Sequence, residues 1–141
     1  MPQAAWPSRP VTLVAPFPPG AVTDSLARIL QSPLAEALEQ PIVIDNRAGA
    51  GGVLGSNAVV RSPADGHTLL ITVNAPIVMS PYLQQNFPFD PEKQIAGVAN
   101  VAETYLALAV RKDSPINTFA DVIRMAKDKP GALNYSSTSQ A

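Results

Sequence analysis

The chain has 141 residues, 46% hydrophobic and 15% charged, the balance of a folded globular chain and not of a disordered one. Ten basic and eleven acidic residues leave a formal net charge of -1, so the footprint of a phosphate-backbone binder is missing and nucleic acid is not an expected partner. The absence of cysteine removes disulfides, thiolate nucleophiles, cysteine-ligated zinc and iron-sulfur clusters together, and no apolar run approaches the roughly 20 residues that a membrane span requires.

Fifteen prolines punctuate the chain and fall between apolar segments. Val11 to Ala15, bounded by Pro10 and Pro16, reads as a buried strand. From Thr23, the spacing of Leu26, Ile29, Leu30, Leu34, Ala37 and Leu38 predicts an amphipathic helix capped by Thr23 or Asp24, with a kink or a restart at Pro33. Ile42 to Ile44 is the next strand, Gly49 to Gly52 leads into an Ala/Val-rich helix reaching about Arg61, and Thr68 to Val73 is a third strand. This alternation predicts an α/β layer with parallel pairing and helices on both faces. Pro81 to Pro91 reads as a surface excursion, Ile95 to Val101 and Leu106 to Val110 as two more strands, and their join at Ala102 to Tyr105 as a crossing into a second domain. Thr118 caps a helix carrying Phe119, Val122, Ile123 and Ala126 on one face, Pro130 and Gly131 end it, and Leu133 to Tyr135 opens a further strand. The expected domains are therefore 1–102 and the start of a second one, 103–141.

Ligands of open parallel sheets bind at the carboxyl ends of the strands. Phe17 to Asp24 occupies that position after the first strand. Its outward N–H groups and the following helix dipole can hold an anion without any side-chain charge, although the same residues also suit a plain Pro-Gly reversal. Asp45 to Gly52 lies at the same edge. A dinucleotide fingerprint would need glycine where Leu54 stands, and a triphosphate loop would need a Lys-Ser/Thr pair, so Gly51, Gly52 and Gly55 read as turn and packing glycines. Arg47 is either a loop clamp or a solvated arginine. Asn74 and Ala75 follow the third strand, and Ser136 to Gln140 offers hydroxyls and an amide that suit hydrogen bonding to a carboxylate better than nucleophilic attack. His67 is the only histidine, and its turn places it at the amino end of the sheet as an edge or surface residue, away from any triad. Paired acids and metal-binding patterns are lacking, so the expectation is binding without catalysis, metal or cofactor.

Four ordered motifs carry a family resemblance: Val11 to Gly20 with Thr23 and Asp24, Pro41 to Gly52, Ala64 to Leu70, and Pro130 to Ser137. Together they resemble the Bug, or TctC-like, solute receptors of tripartite tricarboxylate transporters, over about Trp6 to Ser137. The resemblance implies a two-lobed periplasmic binding protein of type II-like fold that closes on a small carboxylate and serves membrane transporter subunits. It implies a first wall of Pro19, Gly20, Ala21 and Thr23 with Asn74 and Ala75 beside it, and a second wall of Ser137 and Thr138. The family usually has glycine where Ala21 stands, and glycines are common where Ser139 and Ala141 lie. An exported form would have lost its signal before Met1; a cytoplasmic start at Met1 is the other reading.

Family members run well beyond residue 141, so a fragment is expected, with a non-binding remnant and a small α/β enzyme using Gly49 to Gly52 as the rival readings. Open sheet edges and uncovered apolar faces predict self-association of this chain. Light scattering at micromolar concentration is expected to show an assembly larger than one chain, and a monodisperse monomer contradicts that expectation.

Overall fold

Three short strands, β1 (Val11–Ala15), β2 (Ile42–Asn46) and β3 (Thr68–Leu70), form a parallel sheet in the order β2-β1-β3. A computed structural model describes residues 6–103, 105 and 107–136 of the chain. β1 is the centre because it is the run that can be buried on both faces. Its register sets Val11 beside Ile42 and Leu13 beside Ile44 on one side, and Thr12 beside Thr68 and Val14 beside Leu70 on the other. Parallel strands need crossover connections, and here these are helices.

Helix α1 (Val22–Leu38) covers the face of Val11, Leu13 and Ala15. Ala27 is fully buried there, and Leu26, Leu30, Leu34, Ala35 and Leu38 pack around Ile42, Ile44, Leu69 and Ile71. At roughly 1.5–3 kcal/mol for each fully buried aliphatic side chain, this face is the main stabilising layer. α1 runs through Pro33 as one helix, without the expected restart. The proline lies on the exposed face, and what it lacks is a single N–H toward the carbonyl of Ile29. Gln31 ties α1 to the sheet by donating to the Ile42 carbonyl at 2.8 Å.

The opposite face, with Val14 on it, meets α2 (Val53–Val60), entered through a 3-10 turn at Ala50–Gly52. Val53 and Ser56 are buried, and Ser56 Oγ donates to the Gly52 carbonyl at 2.9 Å. Gly55 sits where a Cβ would lie 2.7 Å from Pro16 Cβ and 2.8 Å from the Arg47 carbonyl oxygen, so it is a packing glycine as the sequence indicates.

After β3 the ladder continues for one more bond, from Ile71 N–H to the Val14 carbonyl, and the chain then enters a π-helical turn at Ala75–Met79 instead of extending the strand to Val73. Helical turns α3 (Ser80–Leu83) and α4 (Pro91–Gln94) follow. Phe89 is buried and its ring lies 4.6 Å from that of Phe87, tilted by 53°, so the stretch from Pro81 to Pro91 is not wholly a surface excursion.

His67 is buried at the amino end of β3 and does not lie on the surface. The segment Trp6 to Arg9 lies over it: the Trp6 ring stands 6.1 Å away, and Ser8 N–H donates to Nε2 at 3.2 Å. Arg9 closes this strap with a 2.8 Å contact to Asp65, whose carboxylate also accepts the His67 N–H.

The chain clusters into two units that divide between Gly97 and Val98. Across and beyond that division, the sequence expects strands at 95–101, 106–110 and 133–135. None is assigned among the described residues, because extended backbone becomes a strand only when a neighbour completes its ladder. What does form is α5 (Phe119–Asp128), whose ends are locally specified. Thr118 and Asp121 make a reciprocal capping box, with Asp121 N–H donating to Thr118 Oγ1 and Thr118 N–H donating to Asp121 Oδ2. Gly55→Ala is expected to destabilise the first unit by about 1–3 kcal/mol in urea denaturation, because the new methyl group meets backbone on two sides; an unchanged midpoint would show that this packing is looser than described.

Candidate functional site

Three loops meet at the carboxyl edge of the sheet: Pro16 to Ala21 after β1, Arg47 to Gly52 after β2, and Thr72 to Ala75 after β3. Their junction is packed. A Cβ on Gly52 would lie 2.9 Å from Pro76 and 3.1 Å from the Phe17 ring, and Pro16 and Pro76 are fully buried. Gly52, at φ +95, therefore meets two requirements that no other residue satisfies, a left-handed backbone and no side chain.

The first loop turns into α1 with Ala21 as the N-cap and no side-chain cap. Neither Thr23 nor Asp24 caps the helix as the sequence indicates. Asp24 is the third helical residue, and its carboxylate reaches back to accept the Gly20 N–H at 2.8 Å. The same oxygen accepts from Arg28 Nε at 3.0 Å, and Oδ1 accepts from Asn46 Nδ2 at 3.1 Å. Asn46 also reaches the Phe17 carbonyl at 3.3 Å, so one amide at the end of β2 holds both ends of the β1–α1 loop. The Arg28 guanidinium and then the Gly20 amide hold Asp24 down to about 2, against an opposing effect of burial, with the Asn46 side chain adding a lesser contribution.

These contacts decide which donors are left for a ligand. Pro19 has no N–H, Gly20 N–H is given to Asp24, and Ala21 N–H is given to the Pro18 carbonyl at 3.1 Å. The next three amides, those of Val22, Thr23 and Asp24, begin the helix and have no intrahelical acceptor. Among the expected first-wall residues, Pro19 and Gly20 are exposed and shape the loop, Ala21 is partly exposed, and Thr23 is buried in the first turn of α1. The Thr23 side chain is buried, and its hydroxyl has no hydrogen-bond partner among the described residues. Ala21 takes φ -68, an ordinary value, so glycine is not required there by the backbone.

Asn74 is exposed and stands at the start of the π-helical turn, its carbonyl accepting from Ile77 and Val78, with Ala75 half-buried next to it. Pro76 links this pair to Gly52. Ser137 and Thr138, the expected second wall, lie outside the described residues. Asn46 is a site residue to which the sequence assigned no role, its nearest signal being its position at a strand's carboxyl end, and Asp24 was read only as a cap of α1.

Three amides at the end of the Gly49 to Gly52 loop are consumed within it. Gly52 and Leu54 amides turn inward to the Gly49 carbonyl, and Val53 N–H goes to Ala50. Arg47 pairs with Asp45 at 2.7 Å with its side chain more than half exposed, a solvated ion pair of small energetic value. A half-open groove of about 270 Å³ lies elsewhere, on the sheet face beside α2, lined by Thr12, Val14, Asp45, Arg47, Ala58, Ser62 and Thr68. It is set away from the helix start and shares none of the α1 amides.

Residues 26–141 match the family model of the tripartite tricarboxylate transporter family receptor. The protein BugT of Bordetella pertussis is 36% identical over 132 residues, covering 93% of this chain and 40% of BugT. A UPF0065 protein of Pseudomonas sp. strain P51, from the tcbD-tcbE intergenic region, is 37% identical over 133 residues, covering 94% of this chain and 39% of its own length. The chain thus spans about two fifths of the length of the curated relatives it matches. Among solved structures, R. palustris Rpa4515 with adipate is similar with a TM-score of 0.74 at 33% identity, over 91% of this chain and 43% of that one. MatC from Rhodopseudomonas palustris with bound malate is similar with a TM-score of 0.60 at 37% identity, over 63% and 30%.

Because the folded-state value of Asp24 lies below its unfolded one, its contribution to stability is complete above about pH 4 and is lost as pH falls toward about 2. Asp65, held down to about 2 chiefly by the His67 amide and by Arg9, titrates in the same window. Asp24→Asn is expected to flatten part of the acid limb of the stability profile and leave the Asp65 part. An unchanged acid limb would contradict the contacts described for Asp24.

Proposed function

Since the chain belongs to the tripartite tricarboxylate transporter receptor family, we propose that its first unit holds the carboxylate of a small organic acid against the N-terminus of α1. The observation that carries this reading is the start of a 17-residue helix at the carboxyl edge of a parallel sheet, without a side-chain cap and with the amides of Val22, Thr23 and Asp24 lacking an acceptor among the described residues. Free amides and the positive end of a helix dipole favour an anion, and a carboxylate has the two oxygens to share among them.

In this reading, residues 1–102 form the first lobe and 103–141 begin the second. Pro19, Gly20 and Ala21 shape the first wall, Thr23 donates from the backbone, Asn74 and Ala75 flank it, and Ser137 and Thr138 are the expected hydroxyl donors of the second lobe. The protein works in the periplasm, delivers its ligand to membrane transporter subunits, and carries out no chemistry on it. Malate and adipate, bound by the two similar structures, are both dicarboxylates, so a dicarboxylate is the first class to test. Backbone donors read the common carboxylate end of many acids and leave the variable end to other residues.

Self-association fits the same architecture. β2 and β3 are both edge strands, and Val43 on β2 is half-exposed, which leaves ladder groups available to a second copy.

Thermal unfolding against mono-, di- and tricarboxylates tests the binding reading. A ligand at a hundredfold excess over its Kd stabilises the folded form by about 2.7 kcal/mol, so a selective upward shift with one acid class is expected. No shift with any acid, in a chain that melts cooperatively, would contradict it.

A further inference from the structure

We propose that Asn46 and Asp24 are positioning residues whose side chains set the direction of the α1 amides toward the ligand carboxylate, without those side chains touching the ligand. This inference rests on the carboxylate reading of α1 and assigns a role that the ligand-lining residues do not fill. Asp24 is buried to within 3% of complete, and its side chain collects donors from three places: the loop at Gly20, its own helix at Arg28, and the end of β2 at Asn46. A buried carboxylate with those partners has no spare reason to face a ligand of the same charge. What it does instead is consume the Gly20 amide, hold Gly20 at φ +84, and leave the amides of Val22, Thr23 and Asp24 as the ones without an acceptor among the described residues. An added Cβ at Gly20 would meet nothing, so the constraint on the loop is conformational and comes from the Asp24 contact.

Asn46 makes this arrangement rigid relative to the sheet. Its Nδ2 donates to Asp24 Oδ1 and to the Phe17 carbonyl, one on the helix and one at the loop's beginning, from a strand whose ladder is fixed by β1. Arg28 is the charged group facing Asp24; Asp45 and Arg47, on either side of Asn46, pair with each other at 2.7 Å. An acceptor in place of the Asn46 donor would set two carboxylates against each other, which raises the pKa of one of them and makes the loop geometry depend on pH.

The test compares wild type, Asn46→Ala and Asn46→Asp in the full chain, with malate and adipate as probes. Asn46→Ala is expected to weaken binding about tenfold, the worth of a hydrogen bond to a charged group, at temperatures where both proteins are folded. Asn46→Asp, of nearly the same shape, is expected to weaken binding at neutral pH and to recover relative to wild type as pH falls toward about 5 and the carboxylate pair takes up a proton. A side chain with a merely structural role would change the melting temperature and leave that pH profile flat. Wild-type affinity in both variants would overturn the proposal. If wild type binds neither probe, the carboxylate reading fails, and hydrogen exchange at the Gly20 amide decides the positioning role alone. Protection lost by about tenfold in Asn46→Ala supports it, in proportion to the lost contact energy, and equal protection in the two proteins overturns it.

Discussion

The carboxylate of Asp24 organises the carboxyl edge of the sheet. Burying an anion is costly unless its lone pairs are occupied, and here a loop amide, a guanidinium and a side-chain amide occupy them. Each donor comes from a different part of the chain, so satisfying one charge also fixes the loop after β1, the first turns of α1 and the end of β2 relative to one another. The direction of the remaining helix amides follows from that closure. A helix N-terminus is common; one whose neighbouring amides are already claimed, so that three remain, has a defined direction for an anion.

Beneath this edge, packing does the rest. The prolines at 16 and 76 are fully buried, and Gly52 and Gly55 admit them and Phe17 because neither has a side chain. Proline contributes apolar volume without an N–H to satisfy, which suits a junction where three loops converge and few hydrogen-bond partners are available. The sheet below is small, three strands among the described residues, with the α1 face carrying the larger apolar cluster. Rigidity at the site therefore comes from loop-to-loop packing as much as from the sheet.

Much of this was legible in the sequence where local chemistry decides the outcome. β1 was, because a β-branched run between prolines has few alternatives, and so was α5, whose capping box lies within four residues. The parallel α/β class followed from the alternation of elements, and the motifs from Val11 to Ser137 placed the chain in its receptor family. What was not legible depends on distant partners. Asp24 looked like a cap because its Asn46 partner stands 22 positions away. His67 looked exposed because the Trp6 to Arg9 strap that buries it is nearly 60 residues distant. The segments around 95–101 and 106–110 carry strand composition, but composition cannot supply a ladder partner. Pro33 looked like a break because the pattern shows the residue and not the face it occupies.

The central claim is that a carboxylate meets the amides of Val22, Thr23 and Asp24 while those of Gly20 and Ala21 stay bound within the loop. Backbone amide shifts followed by NMR during titration with malate measure this directly. The account predicts the largest, saturable changes at Val22, Thr23 and Asp24, with Asn74 and Ala75 responding next. Saturable changes centred on Gly49 to Gly52, or on the groove beside α2, would place the ligand elsewhere and contradict it.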